Sequence, residues 1–222
     1  MIAIPDLIES LSKNMKPVRR LRPPITRAAC WLLLAALVVT LLAVSQGIRP
    51  DLARRLHDAS FAAGMAGAAL TGVLAAVAAF LVSLPDRSRS WLLLPLPTVA
   101  IWLSNIGYQC LGAWASVGPN GVAIGEAVRC FATLVLTSLP LSLAMLVMLR
   151  YAAPLRPTAV TFMGSLSVAA ITALALSLFH SADATLMILM FNVGTAIVFV
   201  GLGSLLGNRM FEWIAPRPNI RD

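Results

Sequence analysis

The sequence has few charged residues, and its long apolar runs contain almost none of them. Charged residues make up 12% of the 222 residues and hydrophobic residues 59%, whereas an ordinary soluble domain has about 25% charged residues. This composition excludes a water-soluble globule. It favours a single membrane domain that occupies nearly the whole chain, because a helix needs about 20 apolar residues to cross the hydrocarbon layer of a membrane.

The residue patterns of metal sites and enzymes are also missing. The three cysteines, Cys30, Cys110 and Cys130, form no CxxC pair and no Cys/His cluster with metal-ligand spacing, so we expect no metal site and no cofactor. We expect Cys30 to pack inside the bundle. There is no Ser-His-Asp order and no phosphate-binding glycine loop, which argues against catalytic residues. His57 and His180 fall in or beside polar loops, so a haem protein is a weaker alternative.

Six apolar runs predict an all-α polytopic membrane protein, a bundle of six transmembrane helices with short loops. The runs cover about residues 28–46, 59–84, 91–111, 127–149, 159–179 and 184–206. Turn-forming residues separate the runs, and the connections are too short to contain a soluble domain. We therefore divide the chain into an N-terminal cytoplasmic segment (1–26), a transmembrane domain (27–207) and a short C-terminal cytoplasmic tail (208–222).

Basic residues are distributed unequally between the two sides of this predicted bundle. Four of the 17 Lys and Arg residues, Arg49, Arg54, Arg55 and Arg129, lie on one side, and the other 13 lie on the side of the chain termini. Because cytoplasmic loops carry the excess of Lys and Arg, both termini are predicted in the cytoplasm of a bacterial inner membrane. No basic stretch is interleaved with aromatic residues that stack on bases, so we expect no direct nucleic-acid partner.

The middle of every predicted span is neutral. Glu126 and Arg129 lie at the outer edge of the fourth span, and no other ionisable residue falls well inside a span. Proton-coupled and ion-coupled transporters place ionisable side chains near the middle of the membrane to bind the cargo or the coupling ion. The neutral centres therefore argue against a small transporter or channel, which we keep as the alternative function.

Small residues recur every four positions along the second span. They are Ser60, Gly64, Ala68, Gly72 and Ala76. Such a stripe lets helix backbones approach closely, and we favour packing within the bundle over the alternative of a homodimer interface. Pro97 and Pro140 are predicted to kink the third and fourth helices, and Asn105 is predicted to form a hydrogen bond to a neighbouring helix.

The N-terminal segment is the only part outside the spans that is long enough to bind a partner. Its apolar residues recur at helical spacing, and acidic residues precede basic ones, as is typical of an amphipathic helix. Such a helix could lie on anionic lipid or bind in a groove of a cytoplasmic protein. We favour the protein partner, because the first half of the polar face is neutral to acidic, and assign lipid contact to residues 19–27.

Five polar motifs occur along the chain, before, between and after the apolar runs. They are Asp6-Leu7-Ile8, Lys16-Pro17-Val18-Arg19-Arg20-Leu21-Arg22-Pro23-Pro24, Gly47-Ile48-Arg49-Pro50-Asp51-Leu52, Pro85-Asp86-Arg87-Ser88-Arg89 and Ala153-Pro154-Leu155-Arg156-Pro157. In these motifs the chain resembles the NrsF family of six-span membrane anti-sigma factors. The resemblance extends from the N-terminus to the fifth span.

The resemblance implies a function for the N-terminal segment. Family members hold an extracytoplasmic-function sigma factor at the membrane through this segment and release it on an envelope stress signal, an oxidant or a heavy metal. Applied to this chain, it implies sigma-factor binding by a helix in a groove, with apolar anchors and an arginine cluster that fixes register. The expected binding residues are Leu7, Ile8, Leu11, Met15, Val18, Arg19, Arg20 and Leu21.

The resemblance also implies a sensing role for cysteine. In the family, one outer-side Cys at the start of the fourth helix and another in the last outer loop are associated with sensing. Cys130 occupies the first of these positions, whereas Ser181 occupies the second, so the pair is incomplete in this chain. We therefore expect Cys130 to act as the sensing residue, alone or with Cys110, which lies at the outer end of the third span.

Overall fold

A computed structural model describes residues 22–114, 124–149 and 156–179 and the single residue Glu9; for residues 108–114 and 124–130 it describes the backbone alone. All the regular elements in these ranges are helical, as predicted. Five candidate spans in the described residues are long and apolar enough to cross a membrane: Pro24–Gln46, Ala59–Val82, Arg89–Gly107, Phe131–Leu149 and Pro157–Phe179. The sixth predicted span, 184–206, lies outside the described residues.

The long helices run alternately up and down. The helices are α1 (Pro24–Gln46), α2 (Leu52–Leu56), α3 (Ala59–Val82), α4 (Leu96–Trp114), α5 (Ile124–Leu149) and α6 (Pro157–Phe179), and Arg89–Leu93 form a 3-10 helix. The first residues of α1 contact the last residues of α3 and α5, which shows that α1 is antiparallel to both. We call the two ends of the bundle the Pro24 end and the Gln46 end.

The start of the third span differs from the prediction. The sequence predicts a helix from residue 91 with a kink at Pro97, but α4 begins only at Leu96 and is preceded by the 3-10 helix. Pro95 therefore lies ahead of the helix and Pro97 lies in its first turn, where the N–H that proline lacks has no partner within the helix. The two prolines determine where α4 begins, so the predicted kink at Pro97 is wrong.

The central helix is α3, which packs against α1, α4 and α6. A Cβ atom built at Gly64 would lie 3.0 Å from Oδ1 of Asn105 in α4, and one built at Gly72 would lie 2.7 Å from Cδ1 of Ile171 in α6. At both positions a side chain of the neighbouring helix occupies the space that a larger residue would need. The small-residue stripe is thus used for packing within the chain, the interpretation that the sequence favoured.

Polar side chains inside the bundle connect the helices. Asn105 Nδ2 of α4 donates to the carbonyl of Ser60 in α3 at 2.7 Å, which confirms the predicted interhelical bond. Ser167 Oγ of α6 donates to the carbonyl of Gly72 at 2.6 Å. Such bonds satisfy polar groups that would otherwise be unpaired in lipid.

The outer surface of the bundle is apolar. Along α1, Leu33, Leu37 and Leu41 are 70%, 55% and 59% exposed, and they follow one another at four-residue spacing on the side that faces away from the other helices. On α5, Leu143 and Val147 are similarly exposed. A continuous apolar surface of this kind is unfavourable in water and suits the hydrocarbon layer. The distribution of side chains therefore agrees with the composition in pointing to a membrane protein.

Candidate functional site

The predicted partner-binding residues, numbered from 7 to 21, all lie outside the described residues. In the N-terminal segment ahead of Arg22 only Glu9 is described, and it is helical and exposed. Partner binding by this segment therefore stays a prediction. What the structure does describe is the end of the bundle to which the segment is attached.

The cysteines fall at different places in the fold. Cys110 lies in α4 and Cys130 in α5, in parts where only the backbone is described, so their predicted sensing role stays a prediction. Cys30 is a free thiol that is exposed on α1, and its predicted packing in the bundle is wrong. The reason is geometric: α1 buries Trp31 and Ala35 against its neighbours, and Cys30 falls on the other side of the helix.

Arg27 is buried at the Pro24 end, only 7% exposed. Its Nη2 atom donates to the backbone carbonyl of Met148 in α5. Its guanidinium carbon lies 5.1 Å from the centre of the Phe80 ring in α3, within the range of cation–π attraction. One side chain thus connects α1, α3 and α5, at the point where the N-terminal segment enters the bundle.

The other terminal nitrogen of Arg27 is in a less favourable position. Nη1 is buried and has no hydrogen-bond acceptor among the described residues. An unpaired buried donor costs about 1–3 kcal/mol, and more when the group is charged. The contacts of the guanidinium with α3 and α5 have to offset this cost, so the position of Arg27 is sensitive to the spacing of the three helices.

Two further side-chain hydrogen bonds join α1 to α5. Trp31, which is fully buried, donates from Nε1 to the carbonyl of Leu141 at 3.1 Å in the half of the bundle nearer the Pro24 end. At the Gln46 end, Thr133 Oγ1 donates to Oε1 of Gln46 at 2.9 Å. Together with the Arg27 bond, these contacts join the two helices at two levels in the Pro24 half and at one level at the Gln46 end.

The loop that follows α1 contacts two other helices, α3 and α6. Arg49 donates to both carboxylate oxygens of Asp51 at 2.7 Å, and its backbone N–H donates to the carbonyl of Leu178 in α6 at 3.1 Å. Its guanidinium carbon lies 5.7 Å from the centre of the Phe61 ring in α3. Gly47 ends α1 with φ +78°, a conformation that favours glycine. The motif Gly47-Ile48-Arg49-Pro50-Asp51-Leu52 therefore supplies both the glycine and the ion pair that fix the conformation of this loop.

The ion pair with Arg49 lowers the pKa of the Asp51 carboxyl. The hydrogen bonds from Arg49 hold the pKa of Asp51 at about 2, well below its ordinary value of 3.8. Asp51 stays ionised at any physiological pH, and Arg55 lies 3.8 Å from its second oxygen. The cluster consists of paired charges that fix loop geometry, and no group of three or more His, Cys, Asp or Glu side chains among the described residues could hold a metal ion.

Comparison with known proteins identifies the family. The model of the NrsF family, described as negative regulator of sigma F, matches residues 11–213. The chain belongs to the NrsF family. The match covers nearly the whole chain and confirms the resemblance that the motifs indicated. No curated protein and no solved structure matches the chain.

Membership of the NrsF family gives the function in outline. The chain is a negative regulator of a sigma factor, and a sigma factor is its partner. This regulator has helices that are apolar enough to cross a membrane.

Sequence reasoning missed the most connected side chain at the Pro24 end. In the sequence, Arg27 counts among the 13 basic residues that orient the chain and belongs to the stretch 19–27 assigned to lipid contact. Arg27 is buried, so the predicted lipid contact is wrong for this residue. One signal was available: Pro24 suits the first position of a helix, which puts Arg27 in the first turn of α1, inside the folded domain. The residues that Arg27 contacts could not be identified in this way, because Phe80 and Met148 belong to other helices.

Proposed function

We propose that this NrsF-family protein is an inner-membrane anti-sigma factor that sequesters an extracytoplasmic-function sigma factor through its N-terminal cytoplasmic segment. The observation that carries the proposal is the family match over residues 11–213 in a chain whose helices can cross a membrane. A sigma factor held at the membrane is kept from RNA polymerase. Negative regulation then needs no enzymatic step, only a competing binding site.

The proposed orientation puts the Pro24 end and both termini in the cytoplasm. The excess of basic residues on this side of the chain supports it. Of the described residues at this end, Arg22, Arg87 and Arg89 are exposed. Arg156 is half-buried and donates from Nη1 to the carbonyl of Arg87 at 2.9 Å, which joins two of the loops. In this orientation the exposed arginines lie at the level of anionic lipid headgroups.

The binding segment itself is proposed to act as an amphipathic helix in a groove of the sigma factor. Its anchors are the apolar residues Leu7, Ile8, Leu11 and Met15, followed by Val18, Arg19, Arg20 and Leu21. Because α1 begins at Pro24, only two residues separate Leu21 from the first helix. A sigma factor bound here lies directly against the cytoplasmic face of the bundle, so a change at the Pro24 end can alter its binding.

Release is proposed to follow an oxidant or heavy metal that acts at the opposite, outer face. Cys130 is the first candidate for the sensing residue and Cys110 the second. An isolated thiol can respond to an oxidant by forming a sulfenic acid, which is reversible. A Cys130→Ser protein that still releases its sigma factor normally under oxidant would contradict this part of the proposal.

The binding proposal is tested by co-purification from membranes. The tagged full-length chain is isolated with its bound proteins, and sigma factors are identified by mass spectrometry. Leu11→Asp should abolish co-purification, because it puts a charge on the apolar face of the segment. The matched control is Ser10→Asp, which adds the same charge among the polar residues of the predicted helix and should leave binding intact.

The anchors are then ranked by truncation. If Leu7, Ile8 and Leu11 are central anchors, each single alanine substitution should weaken binding by about 2 kcal/mol, which is about 30-fold. A triple alanine variant that retains the sigma factor as strongly as the wild type would show that this helix is not the binding element. Absence of any sigma factor from the wild-type complex would contradict the anti-sigma proposal itself.

A further inference from the structure

The contacts between α1 and α5 differ from those between the other described helices. The helices α4 and α6 approach α3 closely at small residues and are joined to it by two and one side-chain hydrogen bonds, whereas α1 and α5 are joined by side-chain hydrogen bonds at three levels. These bonds are Gln46 with Thr133, Trp31 with Leu141, and Arg27 with Met148. Because hydrogen bonds have defined lengths and angles, they fix the height of one helix relative to the other.

One of the two helices is continuous with the proposed binding segment, and the other contains the proposed sensing residue. The N-terminal segment continues directly into α1, which begins at Pro24. Cys130 lies on α5, three residues before Thr133. A displacement of α5 at the Gln46 end therefore acts first on the bond between Thr133 and Gln46, and the remaining two bonds connect α5 to the part of α1 that adjoins the binding segment.

Arg27 makes the Pro24 end responsive to such a displacement. Its Nη2 bond to α5 and its contact with the Phe80 ring hold a charged group inside the bundle. Its Nη1 atom is buried without an acceptor among the described residues. If α5 moves, the bond to Met148 is lost and the guanidinium gains by leaving the interior for water or a headgroup phosphate. A shift of α5 would therefore favour an exposed position of Arg27 over the buried one that the structure shows.

We infer that α1 and α5 form the transmission path between the two faces, with Arg27 as the positioning residue at the output end. In this inference, which rests on the proposed function, the sigma factor is retained while Arg27 is buried between α3 and α5. It is released when α5 shifts and Arg27 leaves. Linkage requires the reverse effect as well: a bound sigma factor stabilises the arrangement in which Arg27 is buried.

The input end is tested by a matched pair of substitutions. Thr133 and Thr137 are both fully buried on α5, one turn apart. Thr133 bonds to Gln46 of α1, whereas Thr137 bonds at 2.7 Å to the carbonyl of Thr133 within its own helix. Valine has nearly the same shape as threonine and lacks the hydroxyl. Only Thr133→Val should weaken the α1–α5 connection.

The readout is a reporter gene driven by the sigma factor, measured without stress in cells that produce the full-length chain. Loss of one interhelical hydrogen bond shifts a two-state equilibrium by about threefold. Thr133→Val should therefore raise uninduced reporter activity by about threefold at unchanged protein level in the membrane, and Thr137→Val should leave it unchanged. Gln46→Met removes the same bond from the α1 side and should reproduce the Thr133→Val effect, which covers the case that one variant fails to accumulate.

The output end is tested by two substitutions of one residue. Arg27→Met removes the charge and should raise the uninduced reporter, whereas Arg27→Lys keeps a cation that can reach the same carbonyl and ring and should restore repression. If Arg27 only stabilised the folded protein, its substitution would lower the protein level in the membrane, and Arg27→Lys and Arg27→Met would have the same effect.

The outcomes separate the inference from the proposed function. Equal reporter activity in Thr133→Val and Thr137→Val, or equal reporter activity in Arg27→Lys and Arg27→Met, would overturn the α1–α5 path while leaving sequestration intact. A wild-type chain that retains no sigma factor in the co-purification experiment would overturn sequestration itself. The pattern predicted above, in the presence of a retained sigma factor, supports both.

Discussion

The close contact between α3 and α4 can be tested by one methyl group. A Cβ atom at Gly67 of α3 would lie 3.2 Å from the backbone nitrogen of Trp102 in α4 and 3.3 Å from its Cα. These backbone atoms belong to a helix and cannot rotate away as a side chain does, so α4 would have to move. A Cβ atom at Gly107, also on α4, would meet nothing within 4 Å among the described residues, which makes Gly107→Ala the matched control.

The comparison of the two alanine variants isolates the contact. Alanine is preferred over glycine in a helix by about 0.8–1.0 kcal/mol, and both substitutions gain this amount, so it cancels. Overpacking of a well-packed contact costs about 1–3 kcal/mol. We therefore expect the free energy of unfolding of Gly67→Ala to lie about 1–3 kcal/mol below that of Gly107→Ala. The Gly107→Ala protein should be at least as stable as the wild type.

The measurement is reversible unfolding of purified protein in mixed micelles by increasing amounts of SDS. Helix content by circular dichroism and tryptophan fluorescence report the transition, and the two probes should coincide if it is two-state. A Gly67→Ala protein that unfolds at the same SDS fraction as Gly107→Ala would refute the backbone contact between α3 and α4. It would also remove the reason for the small residues on this face of α3.

Two further predictions concern polar contacts. Asn105→Ala removes the bond to the carbonyl of Ser60 and should lower the free energy of unfolding in the same titration by about 0.6–1.7 kcal/mol. The control is Ser104→Ala, at an exposed neighbouring position, which should not lower it. Equal stability of the two variants would argue against the bond. Arg49→Gln should raise the pKa of Asp51 from about 2 towards 3.8, as measured by NMR titration of its carboxyl carbon. Since the folded-state pKa is depressed, the pair stabilises the loop above about pH 4 and its contribution is lost as pH falls towards 2; an unchanged midpoint in the variant would contradict this.

The family and the existence of the spans could be predicted from the sequence. Whether a segment is apolar enough and long enough to cross a membrane is a local property, so the predicted second span, 59–84, matches α3 closely. Polar motifs between the spans are also local, and they carried the resemblance that the family match confirms. The start of α4 was mistaken because two prolines within three residues can lie inside a kinked helix or ahead of a straight one.

The partners of each helix could not be predicted, and the physical reason lies in the solvent. In a soluble protein an apolar side chain marks the buried face of a helix, but in lipid the exposed face is apolar too, so the helical period of hydrophobicity loses its meaning. Leu33 is 70% exposed on α1 while the smaller Ala35 is 2% exposed. Hydrophobicity alone does not distinguish these two positions.

The sequence by itself therefore determined the class of the protein and its family. It located the five apolar spans that the described helices contain, and it showed which ends of these spans carry more basic residues. Only the tertiary structure decided that Arg27 is buried beneath Phe80 and that Trp31 bonds to a carbonyl of α5. That bond joins residues 110 positions apart in the chain. Contacts of this kind depend on how helices pack, which is determined by the shapes of several helices together, whereas the tendency to span a membrane belongs to each helix alone.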